Sequence, residues 1–325
     1  MIKLKRIIAV LIGILTLSGA CFAVACSNGG ENSGDGGNNP PPEQPDENPD
    51  EEPDEKPERE YPYYVSKPVK ETEEYVELGV YIENEEINKI MYGIEIKPVS
   101  ASAQAKVPVI IYVHGFDGNA LTLVEQYEPL AEYGIAGFAI ECCGGNKVSP
   151  NSQGMDIYPS HYTSRISDLE AALNFVKTLD YVDTSRIYIN GQSYGGLVCM
   201  MDAPRHPEVR GMILQSTGLG EDGGMLLNEG KPTKGRLEKY AVPEDWQSYM
   251  KEYEGDVIIL HSQGDTTVTS EVAAYTEQIY AQRENGRVKL YSYEGGDHSF
   301  NMFTPEAKAA AIEAIRSFVL DDTLI

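Results

Sequence analysis

The chain is poor in the residues on which several protein classes are built. Five cysteines are spread over 325 residues. That is too few for a disulfide scaffold, and none stands in a CxxC pair of the kind that holds structural zinc. Positive charge is scarce: 26 Lys and Arg stand against 51 Asp and Glu, a net charge of −25. Nucleic acid and anionic lipid head groups both require a basic surface, so neither fits as a partner. The five histidines form no cluster in the sequence with cysteine or with one another, so the reading calls for no metal and no cofactor. Internal repeats are absent. What remains is an acidic chain long enough for one large domain or two small ones, at roughly 100–200 residues each.

The charge is uneven. Residues 1–30 carry only Lys3, Lys5 and Arg6, while residues 31–60 hold 12 acids and 2 bases. The basic start leads into a nearly unbroken apolar run from 7 to 25, the layout of a secretory signal. Small residues precede Cys26, and a Ser/Asn/Gly run follows it. This resembles a bacterial lipoprotein signal, in which the cysteine is lipidated and becomes the first residue of the mature chain. Cys21 fits the loose pattern too; Cys26 is preferred, because cutting before Cys21 would leave an apolar mature terminus. Residues 27–62 then read as a tether, Gly/Asn-rich at first and afterwards rich in Pro, Glu and Asp. Eight of the 19 prolines fall between 40 and 62. Such a segment cannot bury a core, and its prolines and like charges keep it extended. The expected location is the bacterial cell surface, with the membrane reached only through the lipid anchor.

From 63 to 325 the pattern is that of one domain. Residues 75–82 and 89–97 alternate as a hairpin. Residues 107–113 (VPVIIYV) and 137–142 (GFAIEC) are short apolar runs, as expected of strands covered on both faces. Helical spacing occupies 121–133, 164–179, 194–203, 270–284 and 305–320; further strands occupy 186–190, 211–215, 256–261 and 287–293. An opening hairpin followed by alternating strands and helices predicts an α/β fold: a mostly parallel, eight-stranded sheet flanked by helices. Residues 216–255 interrupt the rhythm and carry Trp246, Tyr249, Met250 and Tyr253, which suggests a short lid insertion.

Three strand ends hold the chemistry. The sequence GQSYG at 191–195 follows a strand and opens an apolar helix, the context a nucleophile elbow requires. A turn that tight lifts the oxygen of Ser193 above the sheet edge, and it demands side-chain-free neighbours two residues away. The turn HGFDGN at 114–119 follows strand 107–113. It is expected to supply one backbone N–H for an oxyanion from Phe116, and the residue after the serine, Tyr194, supplies the other. His114, ahead of the turn, reads as structural. Downstream, Asp265 and His298 lie on turns after successive strands, in the order serine, acid, histidine. Of the other histidines, His161 and His206 sit in loop or helix-end positions and His261 lies within a strand. Asp297 is too close in sequence to orient its neighbour, so Asp265 is the better acid. Cys142 and Cys143 read as two buried thiols rather than a vicinal disulfide, and Cys199 as packing.

These motifs resemble those of α/β-hydrolases of the cinnamoyl/feruloyl esterase type from gut bacteria, over about 75–320. The resemblance rests on HGFDGN, on Cys142-Cys143-Gly144-Gly145 with SPNS at 149–152, on the 168–176 helix, on GQSYGG at 191, and on GGDHSF at 295. It implies that Ser193, Asp265 and His298 form a catalytic triad with Phe116 and Tyr194 as oxyanion donors. It also implies an ester substrate, a feruloyl/cinnamoyl or acetyl ester of plant polysaccharide. Tyr194 departs from the glutamine often found after the serine in this family, which places a different side chain near the leaving group. A peptidase or thioesterase on the same fold is the alternative, and a non-catalytic surface binding protein a third reading. The short stretch between signal and domain leaves no room for the extra propeller domain that would favour a peptidase.

Overall fold

Strands that read as unbroken apolar runs are the ones buried on both faces. In the computed structural model, β4 (Val107–Val113) and β5 (Ala136–Glu141) are buried along almost their whole length, as is β8 (Asp256–Ser262). They lie inside a single sheet completed by β1 (Tyr63–Glu71), β2 (Tyr75–Asn84), β3 (Lys89–Pro98), β6 (Val182–Gln192), β7 (Val209–Gln215) and β9 (Val288–Tyr293). The order is β1-β2-β3-β5-β4-β6-β7-β8-β9. From β5 to β9 every pairing is parallel, whereas β1, β2 and β3 join antiparallel. The structure describes residues 63–116, 118–143, 152, 162–221, 239–241 and 243–322. Cys21, Cys26 and the tether to residue 62 lie outside them, as do His161, most of the SPNS stretch and 222–238 of the expected lid. Among the described residues no helix is long and apolar enough to cross a membrane.

The alternation of side chains along each central strand divides the core in two. Val109, Ile111 and Val113 face one side, with α2 (Tyr162–Val176), α3 (Tyr194–Asp202) and α5 (Ser270–Tyr280). Ile110 and Tyr112 face the other, with α1 (Val124–Glu132) and α6 (Pro305–Leu320). Each fully buried aliphatic or aromatic side chain contributes roughly 1.5–3 kcal/mol, so both layers are needed to hold the sheet flat between them. The Phe138 and Phe175 rings meet at 4.7 Å and fix α2 against β5.

Two expectations need correction. The sheet has nine strands, not eight. The added strand is the edge strand β1, whose Pro68 lies at a break in its register with β2. A proline cannot donate to a ladder and is tolerated at an edge or a bulge, so the sequence hides a strand that the tertiary structure permits. The aromatic half of the 216–255 insertion is not a lid. Trp246 and Met250 lie on the short helix α4 (Trp246–Met250), and with Tyr253 they are buried in the core layer of α2 and α3. Tyr249 donates to the Met201 carbonyl at 2.8 Å, and Tyr253 to that of Val209 at 3.1 Å.

Candidate active site

Because β4, β6, β8 and β9 run parallel, the turns that follow them emerge on one edge of the sheet, where α/β proteins bind their ligands. The turn after β6 is the sharpest. Ser193 has φ 52° and ψ −119°, a conformation that residues with a Cβ rarely adopt. Its cost is tolerated because the neighbours leave no alternative. A Cβ on Gly191 would stand 2.4 Å from the Gly195 carbonyl oxygen, and one on Gly195 would stand 2.2 Å from that of Val113. The Ser193 N–H donates to the Gln215 carbonyl at 2.8 Å. The Gln215 side chain in turn joins Asn190 and Gln126 in a buried amide cluster, which fixes the ends of β6 and β7 beneath the elbow.

Ser193, His298 and Asp265 come together. Ser193 Oγ lies 2.7 Å from His298 Nε2, and His298 Nδ1 lies 2.9 Å and 3.1 Å from the two Asp265 oxygens. The Asp265 carboxylate also accepts the N–H groups of Thr267 and Val268, each at 2.8 Å. It is thereby immobilised beside the ring. Asp297 stands apart: it accepts the N–H of Thr266 at 3.0 Å and that of His298 at 2.9 Å, and so shapes the turn that presents the ring. Of the two acids, Asp265 is the one that meets the His298 ring. His261 is buried within β8, as expected.

The turn after β4 approaches the elbow closely: a Cβ on Gly115 would stand 3.5 Å from that of Ser193. His114 is buried and bridges backbone. Its Nδ1 lies 2.7 Å from the Gly115 carbonyl oxygen, and its Nε2 accepts the Cys142 N–H at 3.1 Å. Burial, reinforced by the charge of Arg165, pushes the imidazole down to about 3, so the ring stays neutral. Arg165 on α2 is the residue that sequence reasoning missed. It is fully buried, and its guanidinium donates to the carbonyls of His114 at 3.3 Å, Gly115 at 3.0 Å and Phe116 at 2.6 Å. A trans peptide points its C=O and N–H in opposite directions. Holding the Gly115 carbonyl on Arg165 and His114 therefore turns the Phe116 N–H away from them. The Tyr194 N–H belongs to the first turn of α3, where helical N–H groups point out of the helix end. The one signal that could have found Arg165 is a basic residue in line with Leu169, Ala172 and Val176, four, seven and eleven positions on along one helical stripe.

Tyr194 itself departs from expectation. Its side chain is 3% exposed. The ring packs edge-on to Phe116 at 5.9 Å, and the Arg165 guanidinium lies over it at 4.9 Å. It braces the oxyanion turn from beneath. The thiols of Cys142, Cys143 and Cys199 are buried and free, and burial pushes Cys142 up to about 12, which leaves it inert. Ser152 is tied to the end of β5: its N–H donates to the Glu141 carboxylate at 3.1 Å. Among the described residues no metal-ligating group lies at this edge; one set, Glu170, Asp202 and His206, occurs elsewhere.

Sheet order, elbow and the three turns define the α/β-hydrolase fold. Residues 126–323, more than half of the chain, match the prolyl oligopeptidase family (Peptidase_S9). The chain belongs to that family. Several solved structures share the fold. Est1E from Butyrivibrio proteoclasticus, solved with ferulic acid bound, is 21% identical with a TM-score of 0.58, covering 74% of this chain and 98% of its own. An acetyl xylan esterase from Paenibacillus sp. R4 is 18% identical with a TM-score of 0.57, covering 78% and 88%. An S-formylglutathione hydrolase from Agrobacterium tumefaciens is 13% identical with a TM-score of 0.59, covering 79% and 99%. Among curated proteins no sequence matches the chain.

Proposed function

We propose that the chain is a serine hydrolase of carboxylic esters, with Ser193 as nucleophile, His298 as general base and Asp265 as its orienting acid. The observation that carries this reading is the unbroken relay from Ser193 Oγ through both ring nitrogens of His298 to Asp265. Ser193 Oγ attacks the ester carbonyl while His298 Nε2 takes its proton, and the carbonyl electrons move onto oxygen. That oxyanion is met by the N–H groups of Phe116 and Tyr194, which Arg165 and the elbow hold in position. Collapse of the intermediate expels the alcohol, which leaves with the proton from His298, and an acyl-serine remains. Water, deprotonated by the same ring, releases the acid and restores Ser193.

Feruloyl esterase-like motifs, together with neighbours solved with ferulic acid or named for acetyl xylan, support acyl esters of plant polysaccharide as the substrate class. The family name favours a second reading, a peptidase. A fluorophosphonate probe should label Ser193, and the full chain should cleave feruloyl or acetylated sugars faster than peptide amides. Labelling and activity that survive Ser193→Ala would refute the mechanism. Peptide cleavage without ester cleavage would move the chain to the second reading, and no turnover at all to a binding protein.

The basic start, the apolar run and the small residues before Cys26 support a lipid anchor outside the cytoplasm. Cys26→Ala should release the protein from the membrane fraction or block its processing, and Cys21→Ala should do neither. A mature terminus at Cys21, or at neither cysteine, overturns this assignment.

A further inference from the structure

Helix α3 starts at the elbow and ends in a second polar cluster on which the ester chemistry makes no demand. Asp202, its last residue, is 0% exposed, and neither carboxylate oxygen has a hydrogen-bond partner. His206 follows four residues later, past a single turn of 3-10 helix (Ala203–Arg205). Glu170 comes from the second half of α2. His206 Nε2 stands 3.5 Å from Asp202 Oδ2 and 3.8 Å from Glu170 Oε1, and one ligand atom from each of the three residues lies within 4.8 Å of the others. Nε2 is also buried without a hydrogen-bond partner.

A buried carboxylate with two idle oxygens, beside an idle ring nitrogen, calls for something between them. Two occupants suit the charge: a proton on Nε2, or a divalent cation. The hydrogen bonds around the cluster favour the cation. His206 Nδ1 lies 3.3 Å from Glu208 Oε1. That contact assigns the ring proton to Nδ1 and turns the Nε2 lone pair inward, the carboxylate–histidine arrangement that orients metal-ligating imidazoles. Tyr240 donates its hydroxyl to Glu170 Oε2 at 2.9 Å and leaves Oε1 facing His206. A proton on Nε2 would find no oxygen nearer than 3.5 Å, whereas a cation at the centre takes a lone pair from all three residues at once.

The spacing suits as well. Ligands roughly 2.0–2.2 Å from zinc stand about 3–3.5 Å from one another, so a small contraction closes the set. Local cations have their shortest contacts outside the three residues. Lys239 pairs with Glu86 at 2.7 Å and stands 4.0 Å from Glu170, and Lys177 pairs with Glu208. Arg205 donates to the Met201 carbonyl and lies over the rings of Tyr240 and Tyr249.

We infer that Glu170, Asp202 and His206 form a binding site for a divalent transition-metal ion of the zinc type, which ties the far end of the nucleophile helix to α2. One nitrogen and two carboxylates match that class of ion better than calcium, which takes oxygen alone. The inference is independent of the esterase reading, because the ion would hold α2 and α3 together and take no part in the chemistry.

Zinc chloride is the probe. In equilibrium dialysis the full chain should bind one more equivalent than either Asp202→Asn or His206→Gln. All three share the acidic tether, so weak binding there cancels. Zinc should raise the wild-type melting temperature by a few degrees, EDTA should reverse the rise, and kcat on an aryl ester should stay unchanged. Glu208→Gln retains every ligand and should weaken zinc binding roughly 10- to 100-fold, so the test does not depend on one variant folding. Equal binding by wild type and both ligand variants overturns the proposal. So does a His206 ring that stays protonated in the presence of zinc, which would identify the cluster as a histidine paired to acids.

Discussion

The two ends of helix α3 make opposite use of the same kinds of side chain. At its start, serine, histidine and aspartate satisfy one another: Asp265 takes two backbone N–H groups besides His298, and His298 reaches Ser193. At its end, aspartate, histidine and glutamate also lie side by side, but at 3.5 and 3.8 Å, and Asp202 and the inner nitrogen of His206 have no hydrogen-bond partner. The difference teaches that proximity of acid and histidine does not define a catalytic relay. Hydrogen bonding does. At the first end the ring nitrogens meet a hydroxyl and a carboxylate within hydrogen-bond range; at the second, one nitrogen meets Glu208 and the other stands 3.5 Å and 3.8 Å from two acids without a hydrogen bond.

The largest expected effect breaks the first end. Asp265→Asn should lower kcat by about 10⁴-fold, because the amide favours the wrong tautomer of His298. Asp297→Asn should leave kcat close to wild type, because its carboxylate bonds Thr266 and the His298 backbone N–H, not the His298 ring. Comparing kcat/KM of the two variants on one aryl ester decides the acid, and the reverse outcome would exchange their roles.

Next comes the oxyanion turn. Arg165→Met should lower kcat by roughly 10²–10³-fold with KM little changed, as for loss of an oxyanion donor. Arg165→Lys, which restores one donor, should recover part of the loss. A rise in KM alone would make Arg165 a substrate-binding residue instead. Tyr194→Gln should cost about 2–4 kcal/mol in denaturant unfolding, because a buried ring is lost between Phe116 and Arg165. A change of substrate preference at unaltered stability would return Tyr194 to the substrate pocket.

The smallest effect concerns acid stability near the same turn. His114 is held down to about 3, so below pH 6.5 the unfolded chain binds a proton that the folded one refuses. Stability therefore falls as the pH drops from 6.5 toward 3. Asp168 works the other way. Burial raises it to about 6, against the donors Asn84 and Cys143, so the folded chain gains a proton first and stability rises between about pH 6 and 3.8. The two oppose each other, and Asp168→Asn should steepen the acid loss by up to roughly 1.4 kcal/mol per pH unit in that window. Denaturant midpoints at several pH values for the two proteins measure it; parallel curves would show that Asp168 has no raised titration.

The sequence by itself determined the parts that depend on local sterics and on burial. Gly191 and Gly195 had to flank Ser193 because no side chain fits within that turn, and the runs 107–113 and 256–261 had to be inner strands because they offer no polar face. Asp265 and His298 followed from their places after successive parallel strands. Tertiary structure decided what depends on directions between distant segments. β1 pairs despite Pro68 because it lies at an edge, and Trp246 and Tyr253 fill the core where a lid was expected. Arg165 reaches three carbonyls about 50 positions away in the chain. The sequence reading passed over Asp202 and treated His206 as a helix-end residue; Glu170 joins them only because α2 packs beside α3. Residue order carries no information about which way a side chain points once two helices meet, and at both ends of α3 that direction decides the chemistry.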